Sequence, residues 1–132
     1  MISSENGIVI VGGGLAAART AEQLRKSEYA GPVTIVSDEV HLPYDRPPLS
    51  KDVLHKDEHD FGDVTLKPQE FYDEKNITLR LGSAVTAVDP AARSVALADG
   101  STVDYDELVI ATGLVPRRIP SFPDLGGIHV LR

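Results

Sequence analysis

Gly7-Ile8-Val9-Ile10-Val11-Gly12-Gly13-Gly14-Leu15-Ala16-Ala17 is the stretch that decides the fold. Ile8 to Val11 is an unbroken β-branched run stopped by glycine. Such a run fits a strand buried on both faces, as in a parallel sheet. Beyond the glycines the period changes. Ala17, Ala18, Ala21 and Leu24 recur at three- and four-residue spacing, with Arg19, Glu22, Gln23 and Arg25 on the other faces, which predicts a helix from Leu15 to about Lys26. The junction matches G-x-G-x-x-G/A. Gly12 permits the tight turn out of the strand. Gly14 has no Cβ, so an anion can approach the main chain, and Ala17 is small enough for the helix to pack close to the strand. The helix start adds free N–H groups and the positive end of its dipole. The pattern alone is a weak signal; a strand before it and a helix after it are the context that points to a dinucleotide pyrophosphate.

Gly31-Pro32 ends the helix, and Val33–Val36 reads as a second buried strand. Strand, helix and strand form one βαβ unit, expected to be right-handed. Asp38 lies about 20 residues beyond the loop, where an acid is expected to bind ribose hydroxyls and repel a 2′-phosphate. Glu39 beside it is expected to be the more solvated of the two. Residues 37–68 form a long excursion rich in Asp, His, Pro and Lys, with one short helix beginning near Pro48. Excursions of this length are usually functional or mobile. Pro68 opens a short helix through Glu74, and Ile77–Leu81 is a strand. Ala84–Val88, Ser94–Leu97 and Thr102–Val103 read as a meander, with Asp99-Gly100 as a hairpin turn. Leu108–Ala111 is a fourth buried run, and the Pro- and Gly-containing tail after it carries no helix. The fold class is therefore α/β: a doubly wound, Rossmann-like half-domain with Ile8–Val11 central in a parallel sheet and a small antiparallel β-meander added.

Composition narrows the function classes. The chain has 132 residues, 42% apolar and 25% charged, in the range of a globular domain. It has no Cys, which removes a disulfide framework, a thiolate metal site and a redox CxxC pair from these residues. The net charge is −7, with 20 acidic and 13 basic residues, the opposite of what phosphate-backbone binding needs, so nucleic acid is not an expected partner. No apolar run reaches the roughly 18 residues of a membrane span, and the N-terminus lacks a signal peptide's basic region, so a cytoplasmic location is expected. His55 and His59 lie at i, i+4 among acids, but the pattern is not H-E-x-x-H, and a solvated loop face is the expectation rather than a metal site. No Ser-His-Asp or Cys-His grouping supports hydrolase chemistry.

His41-Leu42-Pro43-Tyr44-Asp45-Arg46-Pro47-Pro48-Leu49-Ser50-Lys51 closely resembles a stretch of the FAD-dependent, NADH-driven ferredoxin reductases of bacterial cytochrome P450 and ring-hydroxylating dioxygenase systems, members of the pyridine nucleotide-disulphide oxidoreductase superfamily. The resemblance extends to Tyr105–Gly113 with Pro116-Arg117, and to Ile128–Arg132. It implies that Gly12, Gly13, Gly14, Leu15 and Ala16 cradle the FAD pyrophosphate, that Asp38, with Glu39 adjoining, holds the adenosine ribose, and that Arg46 beside Pro47 neutralises phosphate charge. It implies that Lys51 lies by the isoalloxazine as the catalytic cation, favouring an anionic reduced flavin. Val85 would lie beside the adenine and Ala111-Thr112-Gly113 close to the cofactor, while Arg132 matches an arginine that contacts FAD. Arg117 belongs to the same set, although it and Arg118 sit in a Pro-rich tail where exposure is common.

The family's remaining parts, an NAD-binding domain with its own G-x-G-x-x-G, the second half of the FAD domain and a C-terminal domain, have no counterpart here. Residues 1–132 are thus expected to be the first segment of a discontinuous FAD-binding domain. The resemblance implies an enzyme that passes electrons from NADH through FAD to a [2Fe–2S] ferredoxin. The segment alone is expected to hold FAD weakly, to lack turnover and to self-associate through uncovered strand edges and apolar surface. A dinucleotide-binding module without turnover and a flavoprotein resembling apoptosis-inducing factor are the alternatives.

Overall fold

The computed structural model describes residues 5–55 and 64–130. Its elements run β1 (Ile8–Val11), α1 (Leu15–Lys26), β2 (Val33–Val36), 3-10 turns at Pro47–Ser50 and Val53–His55, α2 (Gln69–Glu74), β3 (Ile77–Arg80), β4 (Val85–Asp89), β5 (Ser94–Leu97), β6 (Thr102–Asp104) and β7 (Glu107–Ile110). A four-stranded parallel sheet has the order β3-β2-β1-β7, so the first strand is central, as its apolar run predicts. Helix α1 and strand β2 have the expected limits. Strands β4 and β7 are displaced by one residue from the expected runs, the usual scatter at strand ends. Pro68 is the N-cap of α2 rather than its first residue, with an extended ψ of 164°.

The alternation along β1 divides the core. Ile8 and Ile10 face α1 and α2, packing with Ala17, Ala21, Val33, Ile35, Tyr72 and Ile77. Val9 and Val11 face the other way, against Val36, Val95, Leu97 and Tyr105. The antiparallel sheet β4-β5-β6 therefore covers the face opposite the helices, satisfying the need of a parallel sheet for cover on both sides. Burying one Val or Ile is worth about 1.5–3 kcal/mol, so these alternating strand residues dominate the stabilisation. The alanines of α1 contribute less area, but they let the helix lie close to β1, which fixes where its N-terminus points.

Polar anchors close the edges. Arg25, in the last turn of α1, donates to the carbonyls of Tyr29, Gly31, Lys75 and Asn76 at 2.7–2.9 Å, tying the chain after α1 to the chain after α2. Asp106 Oδ2 accepts from the Gly7 N–H at 2.7 Å, joining the meander's exit to the start of β1. Asp99 Oδ1 accepts from the N–H and hydroxyl of Ser101, and these bonds hold its carboxyl below the usual range while setting the hairpin. The described part of the 37–68 excursion is built on Tyr44, Leu49 and Val64, with a bridge between Tyr44 and Thr65. Lys56 to His59 lie outside the described residues.

Two polar groups lead to stability predictions. Glu22 is ringed by Arg19 at 2.8 Å, Lys26 at 3.1 Å and Lys67 at 3.4 Å, and these cations hold its pKa at about 2 instead of 4.5. A depressed carboxyl pKa contributes stability above pH 4.5 that is lost as pH falls towards 2. Urea unfolding is therefore expected to show a shallower acid loss for Glu22→Gln than for the wild type across that window. The hydroxyl of Tyr72 is buried with no hydrogen-bond partner among the described residues, and burial raises its pKa to about 12. Since an unpaired buried polar group costs about 1–3 kcal/mol, Tyr72→Phe is expected to match or exceed wild-type stability in the same measurement.

Candidate functional site

Parallel pairing fixes the site before any side chain is considered. Val11 is opposite Val36 on one side and Ile110 on the other, so the loops at 12–14, 37–39 and 111–113 leave the sheet side by side. The chain proceeds from β1 to β2 on one side and returns to β7 on the other. That reversal creates a crevice at the strands' carboxyl ends, where open α/β sheets bind ligands.

The three glycines stand in different surroundings. Gly12 has φ +122°, and a Cβ there would stand 2.1 Å from the Ala111 carbonyl oxygen. A Cβ on Gly13 would stand 2.3 Å from Ser37 Oγ. Gly14 has an ordinary φ of −94°, and a Cβ on it would meet only Arg46 Nη2, at 3.9 Å. The first two are thus demanded by the protein's own packing. The third opens onto free space, as expected where a ligand approaches the main chain. Gly14 is also the N-cap of α1 and makes no side-chain cap, and the first turn of α1 carries no acid. Nothing from those positions neutralises the dipole that points into the crevice.

The crevice holds a cleft of about 230 Å³ lined by Gly12, Gly13, Asp38, Arg46, Val85, Thr112 and Gly113, together with Val11, Val36, Ala84 and Val115. Pockets that enclose drug-sized ligands run about 300–1,000 Å³, so this space suits part of a dinucleotide. Val85 reaches it beside a register shift between Val85 and Ala87, and bulges of this kind commonly re-aim a side chain near a site. Arg46 is among the residues lining the cleft. Its Nη2 donates to Glu39 Oε1 at 2.9 Å, and its buried Nε has no acceptor among the described residues.

The structure brings most of the sequence-selected residues together. Leu15 and Ala16 open α1 and are exposed, while Ala111 presents its carbonyl to Gly12 and donates its N–H to Val11 O at 2.8 Å. Glu39 differs from expectation. It is half-buried, not the solvated member of its pair, because Arg46 and Tyr44 both bond its carboxylate. Pro47 starts the 3-10 turn, and Lys51, which caps that turn, is exposed and outside the cleft lining. Arg117 lines a separate hollow with Arg118, Phe122 and Ile128. Arg132 lies outside the described residues. Sequence reasoning passed over Ser37, which is buried, accepts the Glu39 N–H at 3.2 Å and is the neighbour that demands glycine at 13. A serine ending a buried run carries little signal of such a role.

The pyridine nucleotide-disulphide oxidoreductase family model matches residues 6–132. The chain belongs to that family. It is 41% identical to a ferredoxin–NAD(P)+ reductase from Sphingomonas sp over 100% of this chain and 32% of the relative. It is also 41% identical to rhodocoxin reductase from Rhodococcus erythropolis over 95% of this chain and 29% of the relative. Among solved structures, the covalent putidaredoxin reductase–putidaredoxin complex contains a chain that superposes with TM-score 0.83 at 38% identity, over 89% of this chain and 28% of that one. The chain thus spans about a third of the length of the curated relatives it matches. For this member of the pyridine nucleotide-disulphide oxidoreductase family, the glycine geometry gives the loop positions unequal tolerance of a side chain. Gly12→Ala is expected to cost at least about 3 kcal/mol, the scale of a strained backbone aggravated by a main-chain clash. Gly14→Val is expected to cost no more than about 1 kcal/mol, the loss of a good N-cap residue. Thermal and urea melts of the two variants check the contrast.

Proposed function

We propose that residues 1–132 are the first segment of the FAD-binding domain of an NADH-dependent ferredoxin reductase. The complete enzyme would pass electrons to a [2Fe–2S] ferredoxin serving a P450 or ring-hydroxylating dioxygenase in the cytoplasm. One observation carries the binding part of this reading. At the carboxyl end of β1, an uncapped helix N-terminus, a glycine with open space before it and the Arg46 guanidinium, whose Nη2 lies 3.9 Å from where a Gly14 Cβ would stand, converge on the same place. Each is suited to an oxyanion, and together they suit a pyrophosphate. The relatives' names supply the reductase and the ferredoxin.

The chain's own residues would divide the work. The main chain of Gly12–Ala16 cradles the pyrophosphate, and Arg46 meets its charge. Asp38, exposed at the end of β2, accepts hydrogen bonds from the ribose hydroxyls. Val85 lies against the adenine, offering backbone polar groups and an apolar side chain. Thr112 and Gly113 line the way towards the flavin, and Lys51, with Arg117 and Arg132, belongs to the flavin-side contacts. Bound FAD would accept the reducing equivalents of NADH and release them to the iron–sulfur partner. The protein holds it in place and sets its electrostatic surroundings. The exposed side of β7, with Ile110, Leu114 and Val115, is where further FAD-domain chain would pack.

Titration of the purified chain with FAD, followed by flavin fluorescence, tests the reading. Wild type is expected to bind weakly, Gly14→Val to lose binding while folded, and Asp38→Ala to weaken it by about 1–3 kcal/mol, the scale of hydrogen bonds to a charged group. Binding by Gly14→Val equal to wild type would overturn the pyrophosphate assignment.

A further inference from the structure

We propose that Glu39 and Tyr44 are positioning residues that aim Arg46 at the pyrophosphate, so that Glu39 acts through Arg46 and not by touching the nucleotide itself. This rests on the FAD-binding reading above. Both carboxylate oxygens of Glu39 are committed: Oε1 accepts from Arg46 Nη2 at 2.9 Å and Oε2 from the Tyr44 hydroxyl at 2.6 Å. Its main chain is fixed as well, since its N–H donates to Ser37 Oγ and its carbonyl accepts from the Gly82 N–H at 2.9 Å. Tyr44 is buried, seated with Leu49 and Val64, and its strand bridge to Thr65 fixes its backbone. The Arg46 guanidinium also lies 5.9 Å from the centre of the Tyr44 ring.

The result is a rigid line from a small apolar cluster, through a tyrosine hydroxyl and a carboxylate, to a guanidinium. That guanidinium stands between two glycine corners. Nη2 is 3.9 Å from where a Gly14 Cβ would be, and Nη1 is 3.8 Å from where a Gly113 Cβ would be. A free arginine side chain has many rotamers, and fixing it beforehand removes the ordering cost from the binding step. A carboxylate beside an anion site would otherwise be repulsive, so its placement makes sense as a clamp on the cation.

A double-mutant cycle tests this with the full chain and three probes: FAD, ADP and adenosine. Glu39→Ala is expected to weaken FAD and ADP binding about tenfold, Tyr44→Phe about three- to tenfold, and neither to change adenosine binding more than about twofold. In an Arg46→Gln background, both losses are expected to shrink below about twofold, because residues acting through one another are not additive. Thermal melts establish which variants are folded. Tyr44→Phe, which leaves the charge unchanged, carries the same cycle if Glu39→Ala does not fold. Losses that persist in the Arg46→Gln background, an equal loss for adenosine, or tighter FAD binding by Glu39→Ala would overturn the positioning role while leaving FAD binding intact. A wild-type chain that binds neither FAD nor ADP would overturn the FAD reading, and this inference with it.

Discussion

The main chain at Gly12 turns out of the sheet against the carbonyl of Ala111, with no room for a Cβ between them. That contact fixes the angle at which the chain leaves β1, and so the direction in which α1 starts. It also holds the 111–113 segment against the loop, where Thr112 and Gly113 form one wall of the cleft. Ser37 does the same from the other side through Gly13. The crevice is therefore defined by main-chain packing, and its polar groups are added to a shape already fixed.

Electrostatics then selects what the crevice can hold. The chain is acidic overall, yet the cleft combines an arginine, a helix N-terminus and a single exposed aspartate at one end. The groups able to meet an anion are few and oriented, one of them the dipole of a short helix. This arrangement suits a compact dianion beside neutral hydroxyls better than an extended polyanion. Glu39 fits the same logic: paired with Arg46, it shapes the charge of the site without placing a bare carboxylate in it.

The two cover layers make different contributions. Helices α1 and α2 bury Ile10 and Ile35, and the close packing of α1 on β1 sets where its N-terminus points. The three-stranded sheet buries Val9, Val11 and Val36 and brings Val85 to the cleft through a break in its pairing. Asp106 and Gly7 link the second layer to the first at the amino ends of β7 and β1, away from the cleft.

The sequence by itself determined the strand–glycine–helix unit, the central place of Ile8–Val11, the meander and its Asp99-Gly100 turn. These follow from local periodicity and from the backbone freedom of particular residues, which a linear pattern records. It also singled out Asp38 and Arg46. It could not decide which glycines the protein's own packing demands, because that depends on Ala111 and Ser37, residues distant in sequence but adjacent across parallel strands. Position along the sequence makes Asp38 the ribose acid and Glu39 the more solvated of the two, and the structure reverses the second expectation. Neighbouring acids look alike in a sequence, and only the fold of the 39–46 loop directs one to the cleft and the other to Tyr44 and Arg46. Hydrogen bonds between side chains carried by different turns of a loop have no period to read, so tertiary structure alone assigned them.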